Sequence, residues 1–166
     1  MKKVIFVLSL SALVFSCKDD DISPCTSAVS SDKIAAVDQT QLQKDIIAID
    51  AYLASKSIVA IKDASGVRYV VSTAGDDSKP CLESQVNVNY TGKLLTTGVV
   101  FDSSKGTPVT FPLSNLILGW QISFPNFGKG TKATLYIPSV FAYGKNVAGS
   151  IPANSNLIFD IELISF

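Results

Sequence analysis

The 166-residue sequence contains no histidine, one tryptophan, one methionine and three cysteines, and only 17% of its residues are charged. Without histidine the chain cannot form a Ser-His-Asp or Cys-His triad, and it cannot bind zinc through imidazole. It also lacks the side chain that most often transfers protons near neutral pH. These absences exclude the commonest kinds of acid–base, nucleophilic and zinc-dependent catalysis.

The charges do not favour either sign, because 14 basic residues face 14 acidic ones. A nucleic-acid partner is therefore not expected, since phosphate binding needs clustered lysine and arginine. Gly128-Lys129-Gly130-Thr131 lacks the order of a phosphate-binding loop and instead predicts a tight turn between strands. No cluster of metal-ligating residues stands out either, so we expect neither a cofactor nor a metal ion.

The first 16 residues are predicted to be a signal peptide. Two lysines follow Met1, and an apolar run then extends from Val4 to Phe15. This run fits the about 7–15 residues of a signal-peptide core and is shorter than the about 20 that span a bilayer. The segment is therefore expected to direct export and not to contribute to the fold.

A small residue, Ser16, stands directly before Cys17, and this order resembles the lipobox of bacterial lipoproteins. The resemblance implies that Cys17 is lipidated and becomes the mature N-terminus. Several acyl chains on one residue would anchor the protein stably to a membrane. We expect a cell-envelope protein that is lipid-anchored to a bacterial membrane, with the outer membrane favoured, and that faces the periplasm or the cell surface. A plainly secreted protein and an uncleaved anchor are the alternatives.

Residues 17–31 contain mainly Asp, Ser, Thr and other small residues, which is typical of a flexible tether. Cys25 lies in this tether and Cys81 lies in the domain that follows. In an oxidising compartment such a pair can form a disulfide. The bond would tie the tether to the start of the domain, and two unpaired thiols are the alternative.

Residues 32–57 form an N-terminal helical segment, in which a helix is predicted over 38–56. Asp38 and Gln41 resemble a capping box at its start. Apolar side chains recur at spacings of four, three and four residues: Leu42, Ile46, Ile49 and Leu53. This stripe packs either on the following domain or on a second copy of the chain.

Residues 58–166 change to a β pattern. A hairpin is predicted over 58–73, followed by a loop at 75–80 and one or two helical turns within 116–122. Further strands are predicted at 86–90, 99–102, 107–113, 131–137 and 157–165. Many strands around one short helix indicate an α+β domain with an antiparallel sheet.

Aromatic residues recur near the predicted turns in a fixed order. The motifs are Tyr90-Thr91-Gly92, Phe101-Asp102-Ser103-Ser104, Gly119-Trp120, Ala142-Tyr143-Gly144, Ile151-Pro152 and Phe159-Asp160-Ile161-Glu162-Leu163. Their order and spacing closely resemble the FKBP family of peptidyl-prolyl cis–trans isomerases. The resemblance covers about residues 66–166 and implies an FKBP-like antiparallel sheet wrapped around one short helix, here with an additional N-terminal helix.

The resemblance also implies a site and its ligands. Proline-containing polypeptides, such as exported proteins during folding, are the expected substrates, and a macrolide is a further candidate ligand. Trp120 would form the pocket floor, Asp102 would lie at the rim, and Tyr143 would donate its hydroxyl to a substrate carbonyl. The implied walls and edges are Tyr90, Phe101, Phe111 and Phe159, with Leu116, Ile117 and Ile151 along the substrate.

These residue types suit the isomerisation. The X–Pro bond resists rotation by about 18–20 kcal/mol because the amide is conjugated. A dry, aromatic-lined pocket solvates the flat amide poorly and penalises the twisted amide less, so the barrier falls. The reaction needs no proton transfer, and a chain without histidine can perform it.

Three features depart from the family pattern. Val109 stands where many members have an aromatic residue, and the segment between Phe111 and Trp120 is about two residues short. The family commonly has acidic residues and then glycine after Gly119-Trp120, whereas Gln121-Ile122-Ser123 follows here. Ser123 lacks the backbone freedom of glycine, so a different helix end is expected. The alternatives to an isomerase are a non-catalytic chaperone or binding module, and a structural lipoprotein that docks through the 38–56 helix.

Overall fold

The computed structural model describes Cys25 and residues 28–166. The predicted signal peptide, Cys17 and most of the predicted tether lie outside the described residues. The helices are α1 (Ser31–Ala35), α2 (Gln39–Ser55) and α3 (Leu118–Ser123). The strands are β1 (Ile61–Lys62), β2 (Arg68–Thr73), β3 (Gln85–Leu94), β4 (Val100–Ser103), β5 (Val109–Pro112), β6 (Lys132–Ile137) and β7 (Leu157–Ser165). Short 3₁₀ turns occupy Leu113–Asn115, Phe124–Asn126 and Ser139–Phe141.

The seven described strands form one antiparallel sheet in the order β1-β2-β6-β7-β3-β4. Strand β3 is longer than the predicted 86–90, and it is the centre of the sheet. β7 pairs with β3 along nearly the whole length of β3. β5 pairs with the first part of β3, and β4 pairs with its last part. The predicted α+β domain with an antiparallel sheet and one short helix is confirmed.

The main core lies between one face of this sheet and α3. Alternate residues of each strand point to the same face. In β3 and β7 the fully buried residues Val86, Val88, Leu157 and Leu163 follow that alternation. Phe124 and Phe127, just after α3, are also buried in this cluster. The opening of this core is where the candidate site lies.

Helix α2 begins where the capping pattern predicts, because Asp38 accepts a hydrogen bond from the Gln41 amide at 2.9 Å. Its apolar stripe packs on the domain. Leu42 joins the main core, while Ile49 and Leu53 form a second cluster with Leu95, Tyr136 and Ile158. The sheet residues Tyr136 and Ile158 alternate with core residues, so this second cluster covers the opposite face of the sheet.

Two buried polar contacts fix α2 in place. The Arg68 side chain of β2, which is 8% exposed, donates to both carboxylate oxygens of Asp50 at 2.9 and 3.3 Å. This ion pair holds the pKa of Asp50 below its usual range. Asp45 is 2% exposed and accepts a hydrogen bond from the Ser139 hydroxyl at 2.7 Å. Helix α2 is thus joined to the sheet through charge as well as packing.

Cys25 and Cys81 form a disulfide whose Cα atoms are 5.4 Å apart. The bond joins the predicted tether to the segment before β3. Helix α1 lies at the start of the predicted helical segment 32–57, ahead of the predicted helix 38–56, and is capped by the Ser30 hydroxyl. None of the helices in the described part of the chain is long and apolar enough to cross a membrane.

Helix α3 ends at Ser123 without the backbone conformation that only glycine adopts easily. The backbone of Ser123 has φ −84° and ψ −43°, which is right-handed and open to any residue. Its hydroxyl donates to the Gly119 carbonyl at 2.7 Å, and the 3₁₀ turn Phe124–Asn126 continues directly. No glycine is needed at this position.

Replacing Ile49 with alanine should lower the free energy of unfolding by about 2–5 kcal/mol, because the side chain is 0% exposed. Ile47 on the same helix is 68% exposed and provides a matched control. Ile47→Ala should change stability by less than about 0.5 kcal/mol. Urea unfolding of the full chain measures both, and equal losses would contradict the packing of α2 on the domain.

Candidate active site

Nine of the ten predicted site residues line one pocket of about 160 Å³ beside α3. They are Tyr90, Phe101, Asp102, Phe111, Leu116, Ile117, Trp120, Tyr143 and Phe159. An engineered apolar cavity of about 150 Å³ accepts benzene. The pocket is therefore large enough for one small ring, such as the five-membered ring of proline.

Ile151 is the predicted site residue that the structure does not bring to this pocket. It is 5% exposed and belongs to the main core cluster. Its backbone forms a bridge with Ala148, which closes the loop after Tyr143. Ile151 therefore anchors that loop to the main core. Val109, where the sequence suggested a thinner wall, is not among the lining residues either.

Trp120 forms the floor of the pocket and is only 3% exposed. Its indole stacks on Phe124 with ring centroids 4.8 Å apart and an angle of 16° between the planes. The Tyr90 and Phe159 rings meet it edge-on, at 5.7 and 5.2 Å. Sequence reasoning missed Phe124, although its position four residues after Trp120 would have placed both on one helical face.

Two glycines allow the elements around the floor to approach closely. A Cβ atom at Gly92 in β3 would lie 2.6 Å from the Phe101 ring and 2.8 Å from the Phe159 ring. These two walls pack edge-to-face at 5.6 Å over the glycine. A Cβ atom at Gly119 would collide with Ile137, so this glycine lets α3 lie directly on β6. Side chains at either position would displace the walls or the floor.

The rim carboxylate Asp102 is held by two hydrogen bonds. The Tyr90 hydroxyl donates to one oxygen at 2.8 Å, and the Ser103 amide donates to the other at 2.8 Å. Burial and the hydrogen bond to Asp102 raise the pKa of Tyr90 to about 12. The Tyr90 hydroxyl thus stays protonated near neutral pH and keeps donating to Asp102. Ser104 completes the motif by accepting a hydrogen bond from the Tyr90 amide.

Two donors near the pocket have no partner. Tyr143 is 38% exposed, and its hydroxyl makes no hydrogen bond within the described part of the chain. The buried indole N–H of Trp120 likewise finds no acceptor among the described residues. The exposed Tyr143 hydroxyl is free to donate to a ligand carbonyl, whereas the Trp120 N–H is a buried donor left unsatisfied in the floor, which is unfavourable.

The Gln121 side chain, which departs from the family pattern, supports one wall of the pocket. It is 5% exposed, and its amide nitrogen donates to the carbonyls of Ser114 and Leu116 at 3.0 and 2.7 Å. Its oxygen accepts a hydrogen bond from Lys33 of α1 at 2.9 Å. An ionised carboxylate could not donate to those carbonyls, so the amide suits the short segment here. Sequence reasoning treated Gln121 only as a departure and missed this role.

Taken together, the pocket is a mainly apolar cavity with a fixed carboxylate and the free Tyr143 hydroxyl at its rim. It contains no nucleophile–base pair and no histidine. Such a site can bind one cyclic apolar side chain and contact the carbonyl next to it. It can favour one shape of a bound peptide over another without moving a proton.

Comparisons with known proteins agree with this geometry. The family model for FKBP-type peptidyl-prolyl cis-trans isomerases matches residues 76–164, just over half of the chain. The FKBP-type peptidyl-prolyl cis-trans isomerase FkpA of Aeromonas hydrophila is 46% identical over 103 residues, which are 61% of this chain and 38% of that protein. The peptidyl-prolyl cis-trans isomerase Mip of Coxiella burnetii is 44% identical over 105 residues, which are 61% of this chain and 45% of Mip. The chain thus spans less than half the length of these curated relatives.

Solved structures give the same result. A peptidyl-prolyl cis-trans isomerase from Pseudomonas syringae pv. tomato superposes with a TM-score of 0.64 and 32% identity, covering 76% of this chain and 93% of that one. FkpA from Escherichia coli has a TM-score of 0.65 and 34% identity, covering 76% of this chain and 63% of that one. With motif order, pocket and family model in agreement, the chain belongs to the family of FKBP-type peptidyl-prolyl cis–trans isomerases.

Proposed function

We propose that this protein is a peptidyl-prolyl cis–trans isomerase that assists the folding of proline-containing polypeptides. The observation that carries the proposal is the pocket over Trp120, in which nine side chains enclose about 160 Å³. A proline ring fits this space. Uncatalysed X–Pro isomerisation takes tens to hundreds of seconds, so a folding chain benefits from catalysis.

The proposed mechanism lowers the rotation barrier through the surroundings of the amide. The proline ring enters between Tyr90 and Phe159 and rests on Trp120, so that the X–Pro amide leaves water. The planar amide is the more polar form, because twisting removes its conjugation. Loss of water therefore destabilises the planar form more than the twisted transition state.

The rim groups orient the peptide in this mechanism. The Tyr143 hydroxyl, which has no partner in the described part of the chain, donates to a substrate carbonyl. Asp102 is fixed by Tyr90 and the Ser103 amide and faces the carbonyl carbon of the residue before proline. As the amide twists, its carbonyl turns relative to these fixed groups. Stabilisation that is greater for the twisted form increases the rate.

A macrolide would occupy the same pocket and compete with the polypeptide. The pocket accepts one apolar ring, so the two ligands exclude each other.

The non-catalytic alternative rested on the altered segment after Trp120. Because Gln121 supports the wall and Phe124 stacks under the floor, this segment gives that alternative no particular support.

The proposal also includes a location. The leader and Ser16-Cys17 support lipidation at Cys17 and attachment to the outer membrane of a bacterial envelope, facing the periplasm or the surface. The disulfide between Cys25 and Cys81 suits an oxidising compartment. Exported proteins that fold there would be the substrates.

Replacing Tyr143 with phenylalanine should lower kcat/KM for a short X–Pro peptide about two- to tenfold, because one hydrogen bond to the substrate is lost. The melting temperature should not change, since the hydroxyl has no partner among the residues described. Tyr52→Phe on α2 is the matched control and should leave the rate unchanged. Cis-to-trans conversion of the peptide measures all three proteins. A wild-type rate equal to the uncatalysed rate, with folded protein, would reject the proposed function.

Replacing Gln121 with glutamate should lower kcat/KM about tenfold at neutral pH, because the ionised side chain cannot donate to Ser114 and Leu116. Activity should recover partly as the pH falls and the carboxyl becomes protonated. Gln121→Met is the control and should lose activity equally at each pH. Since acidic residues are common here in the family, the glutamate variant should still fold. A glutamate variant with the wild-type pH profile would contradict the role of Gln121.

Replacing Cys17 with serine should abolish incorporation of a labelled fatty acid and release the protein from the membrane fraction. Cys81→Ser is the control, and it should keep the label because it leaves the predicted lipidation site intact. Fractionation of cells that express the full chain measures both properties. Membrane attachment that survives Cys17→Ser would contradict the proposed anchor, and protease treatment of intact cells would show which side the domain faces.

A further inference from the structure

A second cavity of about 360 Å³ lies next to the proline pocket, and Tyr143 lines both. We call it the flanking groove. One wall comes from the start of α2, and the other comes from the segment after β6. Its lining residues are Val37, Asp38 and Gln41 on the first wall, and Val140, Ala142, Tyr143, Gly144, Lys145, Asn146 and Asn154 on the second.

The two walls of the flanking groove are fixed to each other by a buried carboxylate. Asp45 of α2 accepts hydrogen bonds from the Ser139 hydroxyl at 2.7 Å and from the Val140 amide at 3.4 Å. Asn156 accepts a further bond from the Ser139 amide at 2.9 Å. Gln41 donates to the second oxygen of Asp45 at 2.8 Å. The groove therefore has a set shape, although its walls come from distant parts of the chain.

The second wall is also ordered from within. The Gly144 amide donates to the Ser139 carbonyl at 2.8 Å, and the Asn154 amide donates to the Gly144 carbonyl at 2.7 Å. The Asn146 amide donates to the Tyr143 carbonyl at 3.2 Å. These backbone bonds hold the segment in place without using its exposed side chains, which stay available to a ligand.

The groove offers the groups that a peptide backbone requires. The side-chain amides of Asn146 and Asn154 make no hydrogen bond to any residue that the structure describes, and each can both donate and accept. Lys145 is exposed and likewise unpaired within the described ranges, while the Asp38 carboxylate caps α2. Charges of both signs and apolar Val37 and Val140 suit a polypeptide of mixed sequence. They do not suit a polyanion.

We propose that the flanking groove is a subsite for the polypeptide segment that adjoins the proline, so that the preferred substrates are extended chains and not isolated X–Pro units. The proposal rests on the proposed isomerase function. Its main support is continuity, because a chain that places its proline over Trp120 and passes Tyr143 enters the groove directly. Three further residues reach about 10 Å beyond the proline, at about 3.3 Å per residue.

The subsite also gives the N-terminal helix a function. Without α2, the second wall would lose both Asp45 and the facing side of the groove. The groove is therefore a property of the helix and the isomerase domain together. Selectivity for long substrates depends on the flanking groove, whereas the pocket over Trp120 forms without the groove.

The test compares peptides that share one X–Pro unit and differ in length. One is a short peptide, and two others carry about three more residues on the N-terminal or on the C-terminal side. For the wild-type full chain, one extension should lower KM about three- to tenfold, the gain expected from one or two hydrogen bonds. The side that lowers KM identifies the direction of the chain in the groove.

The groove variant is Lys145→Ala with Asn146→Ala, which removes two exposed and unpaired side chains. It should remove the KM advantage of the extended peptide and leave kcat, and the rate with the short peptide, unchanged. The matched control is Gln43→Ala with Lys44→Ala, which removes the same types of group from the exposed side of α2. This control should keep the wild-type preference.

Three outcomes would overturn the proposal. Equal KM values for short and extended peptides in the wild type would show that the groove does not bind substrate. An equal loss on all peptides in the groove variant would show a general effect on the domain. Sedimentation that finds a dimer dissociated by the variant would assign the groove to a second copy of the chain. Absence of catalysis on every peptide by the folded wild type would reject the isomerase function itself.

Discussion

The structure depends on the packing of the Trp120 indole between the hydrophobic core and the candidate pocket. One face of the indole stacks on Phe124, which is fully buried. The Tyr90 and Phe159 rings pack edge-on against the indole. The same cluster contains the residues that hold the sheet to α3. The pocket is therefore an opening in the hydrophobic core. A change that enlarges or fills it alters stability and binding together.

This arrangement explains how a site without a nucleophile–base pair or a histidine can be specific. The apolar walls define the size of one ring, while polar groups are confined to the rim. Asp102 is held there by two donors, and Tyr143 remains free in the described part of the chain. In the proposed mechanism, shape and desolvation select the proline, and the rim orients the amide. The proposed chemistry thus follows from where the polar groups are absent as much as from where they occur.

Polar contacts join the N-terminal segment to the domain, and two of them lie beside this site. Lys33 of α1 contacts Gln121 behind one pocket wall, and Asp45 of α2 holds the turn before Tyr143. The third contact, between Asp50 and Arg68, attaches α2 to the sheet. Because these bonds are buried or partly buried, breaking them would leave unpaired polar groups and cost more than a surface contact. The segment is therefore part of the folded domain. It supports the pocket wall that Gln121 holds, and it fixes the turn before Tyr143.

The sequence alone determined the strands, the helices α2 and α3, and most of the aromatic residues around Trp120, because periodicity and the order of motifs can be read directly along the chain. The Asp38 cap and the alternation in β3 are examples. Only the tertiary structure decided that Ile151 lies in the core, that Phe124 supports the floor, and that Gln121 and Asp45 have structural roles. Lys33 and Gln121 are 88 residues apart, and Asp45 and Ser139 are 94 apart. Which polar groups become partners at such separations depends on how the sheet and helices pack, and no local pattern records that packing.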